Sequence, residues 1–224
     1  MYQNYKVAAE LNFAELGFLR QKWAQICLFY QLSPEKIIEL AKNCLGAYSQ
    51  KGRFYHNLSH IFNLIQLSEG LNLPQNELFL FQIAIFYHDI IYNPTSKTNE
   101  AESAELAKNH WQNVLSAADM EQLQTYILSS TQHQNLNQKA ETQLFLDLDL
   151  CVLAAPLDLY QQYSEGVRRE YEPFFAAEIY AQGRLDFLQK YAQREAFFYS
   201  PQFVPLNEKA RENIAWEMDF LTKK

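Results

Sequence analysis

At 224 residues, 48% of them hydrophobic, the chain is long enough to bury a real core and to form one domain, 1–224, without covalent staples. A formal charge of −7 excludes the broad basic face of a protein that grips a nucleic-acid backbone, so no nucleic-acid polymer is expected as a partner. Three widely spaced cysteines, Cys27, Cys44 and Cys151, argue against a disulfide scaffold, and with no charged-then-apolar start and no membrane-length apolar run the expectation is a cytoplasmic protein that does not enter a membrane.

In chain order, Ser33 before Pro34 predicts a capped helix running to about Tyr48 and ended by Gly52 and Arg53. Pro74 opens a second helix that is apolar almost all round, through Phe79, Phe81, Ile83, Ile85 and Phe86, and therefore belongs in the core. It runs into His88-Asp89 and must stop before Pro94, which cannot continue the hydrogen-bond ladder. After a polar loop, Asn93 to Thr98, the pair Asn99 and Glu102 predicts a capping box and a helix to about Leu115. Apolar residues at three- and four-residue spacing predict further helices over Met120–Thr131, Thr142–Ala154, Leu157–Tyr171, Arg184–Phe197 and Leu206–Leu221. Strand alternation is hardly visible and no internal repeat is found, so the expected fold is an all-α, single-domain helical bundle.

Three places carry chemistry. His56 and His60 stand four residues apart, a spacing that puts both on one face of a helix. His88-Asp89 closes the most hydrophobic helix, where an ionised carboxylate is costly unless a cation accompanies it. Asp147 and Asp149 sit in the otherwise apolar run 144–153, and two residues apart means about 200° of helical rotation, so only one faces a metal directly. Asp149, whose three- and four-residue neighbours are all apolar, is the expected ligand. Asp147 is the supporting carboxylate, or is there because the helix dipole favours acids near a helix start. Imidazole and carboxylate donors together suit Zn, Mn, Fe, Co or Ni.

His, then His-Asp, then Asp, spread over helices in this order, resembles the HD-domain superfamily of metal-dependent phosphohydrolases, which is all-helical. Tyr55-His56-Asn57-x-x-His60 is similar to the motif of its cyclic-nucleotide phosphodiesterases. The resemblance implies that His56 is the general acid and that His60, His88, Asp89 and Asp149 hold metal. The fuller set of matching pieces resembles a little-characterised branch of predicted phosphohydrolases. That set adds Asn99-Glu100-x-x-Ser103, Tyr160-x-x-Tyr163, Val167-Arg168-x-Glu170-Tyr171 and Ala210-Arg211-Glu212-Asn213, reaching from 53 to 213 with a motif core of about 53–171. After His88-Asp89 the phosphodiesterases carry x-Asp-His where this chain has Ile90, Ile91 and Tyr92, which counts against their second metal. Alarmone hydrolases have Glu-Asp where this chain has Asn93 and Pro94, which counts against that activity.

On this reading Arg53 and Arg168 neutralise substrate phosphate, since a guanidinium binds two phosphate oxygens at once. His133, expected at a helix C-terminus, contacts substrate phosphate or a second metal, or is a solvated histidine held by the dipole. Glu100 orients the attacking water or a ligand imidazole, or merely caps its helix. The expected function is hydrolysis of a phosphate ester of a nucleotide or small phosphorylated metabolite by a water bound to a divalent ion, Mn, Zn, Fe, Co, Ni or Mg. A homodimer is compatible with the sequence. The competing readings are a non-catalytic metal- or nucleotide-binding module, a di-iron oxygenase drawing ligands from His110 and His133, and a metal-free helical interaction protein.

Overall fold

The computed structural model describes residues 1–7 and 9–223. Among these residues there are ten α-helices and two short 3-10 turns, and no strand. The helices are α1 (Phe13–Phe29), α2 (Pro34–Ala47), α3 (Leu58–Ser68), α4 (Gln75–Tyr87), α5 (Asn99–Trp111), α6 (Ala117–Ser130), α7 (Ala140–Asp149), α8 (Leu157–Tyr171), α9 (Ala177–Ala192) and α10 (Asn207–Thr222). No described helix is long and apolar enough to cross a membrane.

The centre is α4, whose residues Phe79 to Tyr87 are all buried, with α3, α5 and α6 packed around it. Its one buried amide, Gln82, donates to Ser68 Oγ at 3.0 Å and to Glu69 Oε1 at 2.6 Å, which satisfies the amide nitrogen inside the core while Oε1 has no hydrogen-bond partner. Ser33 caps α2 as its sequence predicts, accepting from the Lys36 amide, and Gly52 takes the left-handed turn (φ 92°) that brings the chain back towards α3.

Several elements depart from the sequence expectation. α1 was not foreseen, because Phe13, Leu28 and Phe29 are exposed apolar residues that blur the buried stripe of Leu19, Trp23, Ile26 and Cys27. Its capping box, Asn12 with Glu15, was nevertheless written in the chain. α5 does not begin with a capping box: Thr98 is its cap residue, and the Asn99 side chain instead reaches back to the amide and carbonyl of Asn93. α9 lies earlier than 184–197. The chain leaves the helix at Gln193, and Phe197 and Phe198 are buried from an irregular segment rather than a helix. That segment is pinned because Asn207 Oδ1 accepts from the Phe197 amide at 2.7 Å and Asp147 Oδ2 accepts from the amides of Tyr199 and Ser200 at 2.9 and 2.5 Å. α7 stops at Asp149 and continues to Ala154 only as a 3-10 turn.

α8, α9 and α10 are joined by a buried ion pair. Arg184 Nε and Nη2 donate to the two oxygens of Glu217 at 2.8 and 3.0 Å, while Tyr160 and Ser164 donate to the same carboxylate at 2.5 and 2.7 Å. Burial pushes against ionisation of Glu217, but the Arg184 charge and these hydrogen bonds win, and its pKa falls below the ordinary 4.5. Its folded-state pKa being lowered, the pair stabilises fully above pH 4.5 and loses that contribution as the pH falls below it. Arg184→Met leaves Glu217 buried without its cation and should cost about 3–5 kcal/mol in urea unfolding at pH 7. The gap between wild type and variant should narrow at pH 4, where the variant's Glu217 is protonated.

Candidate metal centre

The ends of three helices meet at one place. His60 lies in the first turn of α3, His88 caps α4, Asp89 follows it, and Asp149 ends α7. His60 Nε2 is 3.2 Å from His88 Nε2, and Asp149 Oδ1 is 3.4 and 3.5 Å from these two nitrogens. A tetrahedron of ligands bound at about 2.1 Å has edges of about 3.4 Å, so the spacing of these three donors matches one coordination shell. Asp89 Oδ2 stands 3.0 Å from His88 Nε2 and 4.0 Å from His60 Nε2, adjoining the same space. His60, His88 and Asp149 could hold a metal ion.

The chemistry of the donor set agrees with that fit. His88 Nδ1 faces the Ile85 carbonyl at 2.9 Å; a carbonyl only accepts, so Nδ1 carries the hydrogen and Nε2 turns a lone pair towards the aspartates. His60 Nδ1 is buried with no hydrogen-bond partner. Burial lowers the pKa of His60 and works the same way on His88, but the Asp89 and Asp149 charges reverse the outcome at His88 and raise it well above the imidazole range. Asp149 is held well below the usual carboxylate range, because His88, His133 and His60 outweigh its burial.

His56 does not share a helical face with His60. It lies in the turn before the Asn57 cap of α3, and its position is set by Glu170 of α8. Glu170 Oε1 accepts the amides of Phe54, Tyr55 and His56 at 2.7, 2.7 and 2.9 Å, and Oε2 takes His56 Nδ1 and the Tyr92 hydroxyl, each at 2.7 Å. The imidazole stacks on the Tyr92 ring, centroids 4.4 Å apart, and its Nε2 stands 3.9 Å from Asp89 Oδ2. Burial disfavours charge on His56, but Glu170, with Asp89 and Asp149 beyond it, raises its pKa. α8 can approach this turn because residue 166 is glycine: a Cβ there would come within 3.3 Å of Tyr55 Cβ and 3.4 Å of the Phe54 carbonyl.

Other expectations are corrected. Arg53 does not face a substrate; it is buried and spends its guanidinium on the carbonyls of His56, Asp89 and Ile90 at 3.1, 2.7 and 2.7 Å, tying the two donor loops together. Arg168 lies on the solvent face of α8, bound to Glu165 and Glu172, away from the site. Asp147 supports no donor; it turns to Gln143 and to the 199–200 backbone, and it stands in the last turn of α7, so the dipole of a helix start does not account for it. His110 is bonded to Tyr87 and lies outside the cavity. His133 is not at a helix end: it sits beyond the cap of α6 with φ 48°, held by Tyr191 at Nδ1 (2.9 Å) and facing Asp149 Oδ2 at Nε2 (3.2 Å). Glu100 borders the cavity from the first turn of α5, but His88 takes its orientation from Ile85 instead.

The residues that sequence reasoning missed are Glu170, Tyr92 and Tyr191. Glu170 follows Arg168-Arg169 and reads as one more charge on a solvated helix; the hints were its place between Val167 and Tyr171 and its presence in the matching piece Val167-Arg168-x-Glu170-Tyr171. His60, Asp89 and Asp149 line the floor of a cavity of about 530 Å³, the size of a small-molecule site, with α8 and α9 as its far wall. No family model matches this chain, and no curated protein matches it.

Metal analysis of the purified chain after loading with Mn, Zn or Co should find bound ion in the wild type and a loss of most of it in His60→Ala and Asp149→Ala. At a hundredfold excess of metal over Kd, wild-type stability should rise by about 2.7 kcal/mol. Asp147→Asn should keep the ion while melting earlier, since that carboxylate braces backbone only.

Proposed function

We propose that this chain is a metal-dependent phosphohydrolase of the HD type that cleaves a phosphate ester with water. The supporting observation is the shell-like spacing of His60, His88 and Asp149, with Asp89 beside them, on the floor of a cavity large enough for a small substrate. A divalent ion bound there would supply Lewis acidity and a water acidified towards neutrality.

The chain's own residues account for the rest of the chemistry. Hydrolysis joins a water oxygen to phosphorus and breaks the ester P–O bond, so the departing oxygen needs a proton. His56 is built to give one. Its Nδ1 is locked to Glu170, which fixes the ring and favours the protonated form, and its Nε2 faces the donor cluster from the cavity side. Tyr92 covers the opposite ring face and limits rotation. His133, fixed by Tyr191, borders the cavity beside Asp149, where a phosphoryl oxygen would lie. Glu100 stands on the α5 side of the same cavity, placed to accept from a water.

Metal-loaded enzyme should hydrolyse a chromogenic phosphate ester, and His60→Ala or Asp149→Ala should abolish turnover. His56→Gln should lower kcat by about 10²–10⁴ while metal content is kept, as expected of a proton donor. Glu170→Gln should lower kcat by about 10–100-fold, again without loss of metal. Stabilisation by metal and phosphate with no turnover of any ester would instead favour a non-catalytic binding module.

A further inference from the structure

Away from the donors the cavity changes character. α8 contributes Tyr163, Val167 and Tyr171, four residues apart and so on one face, and α9 contributes Ile179, Tyr180 and Phe187. The rings of Tyr171 and Tyr180 are tilted against each other with centroids 5.8 Å apart. Gly183 also lines the cavity, and a Cβ built there meets nothing within 4 Å, so the α9 backbone is open to the space at that point. The Tyr180 hydroxyl is buried with no hydrogen-bond partner, a phenol whose polar end is unmatched.

Charge narrows the choice of ligand. No lysine lines the cavity among the described residues, and the arginine that does, Arg184, is already matched by Glu217. Asp89 and Asp149 together match one divalent ion, Glu170 faces His56, and Glu100 is left over. One phosphoryl group at the donors would reach that ion and the His56 and His133 side chains. A second or third phosphoryl running along the cavity would meet apolar rings and a carboxylate, which is costly without a cation.

We propose that the α8–α9 side of the cavity is a subsite for an uncharged ring system, and that the substrate is a monophosphate ester of such a group with Tyr180 hydrogen-bonded to a polar atom on it. The phosphate half of this inference rests on the phosphoester reading of the metal donors; the ring half stands on the α8–α9 wall alone.

The full chain, as purified and after metal loading, should be titrated with 2-naphthol, which cannot be hydrolysed, in a calorimeter. Gly183→Leu should weaken binding at least tenfold, since leucine suits a helix and fills the open space, and Tyr180→Phe should weaken it severalfold. Circular dichroism checks that both variants are folded. No naphthol binding, or binding indifferent to both substitutions, overturns the subsite. Metal-loaded enzyme should then cleave 2-naphthyl phosphate with kcat/KM at least tenfold above glycerol phosphate and inorganic pyrophosphate, with Gly183→Leu raising KM more than it lowers kcat. Preference for pyrophosphate or a nucleoside triphosphate overturns the inference and leaves hydrolysis standing. Naphthol binding with no ester cleaved upholds the ring subsite and overturns the phosphoester reading.

Discussion

Asp89 and Asp149, with side chains only 15% and 12% exposed, share one small space with two imidazoles, and that crowding of acceptors demands positive charge between them. The surroundings serve this demand. Ile85 fixes the His88 ring so that its lone pair points inward, and Tyr191 fixes His133 against the far oxygen of Asp149. The helices that deliver these side chains end at or beside them, so the donors sit on rigid elements while the chain remains free to turn away immediately afterwards.

Two buried side chains organise the turns that α3 and α4 leave exposed to rearrangement. Arg53 gathers three carbonyls from two separate loops, a task for which five donors on a planar fork are suited and a lysine is not. Glu170 gathers three amides and an imidazole on one carboxylate, which both satisfies the backbone before α3 and holds the charge of His56 in place. Burial alone would press Glu170 towards the neutral form, yet His56 and the donated hydrogen bonds bring its pKa below the ordinary range. The pair is thus a unit, one partner's charge depending on the other's.

The cavity wall is held by a different device. The Arg184–Glu217 pair, with Tyr160 and Ser164, binds α8, α9 and α10 together. Its effect is to use up the cationic group nearest the aromatic wall, so the part of the cavity that is rich in rings is poor in free charge.

The helical architecture was legible in the sequence because periodicity, proline and capping residues act over a few positions; Ser33-Pro34 and the run 79–87, apolar but for Gln82, show this directly. So in part was the meeting of His60, His88 and Asp149, since carboxylates and imidazoles among apolar helical residues stand out in one dimension, while the choice of His60 over His56 as a donor came from the family resemblance. What the sequence could not decide was where the ordinary charges go. Arg53 and Arg168 read as ligand-facing, Asp147 as a supporting carboxylate and Glu170 as a solvated charge, and only the folded chain shows Arg53 and Asp147 spent on backbone, Arg168 in solvent and Glu170 behind His56. The physical reason is range: helix formation is set by neighbours a turn apart, whereas the partner of a buried charge lies 36 residues away for Arg53 on Asp89 and 114 for His56 on Glu170, and nothing local in the chain fixes that distance.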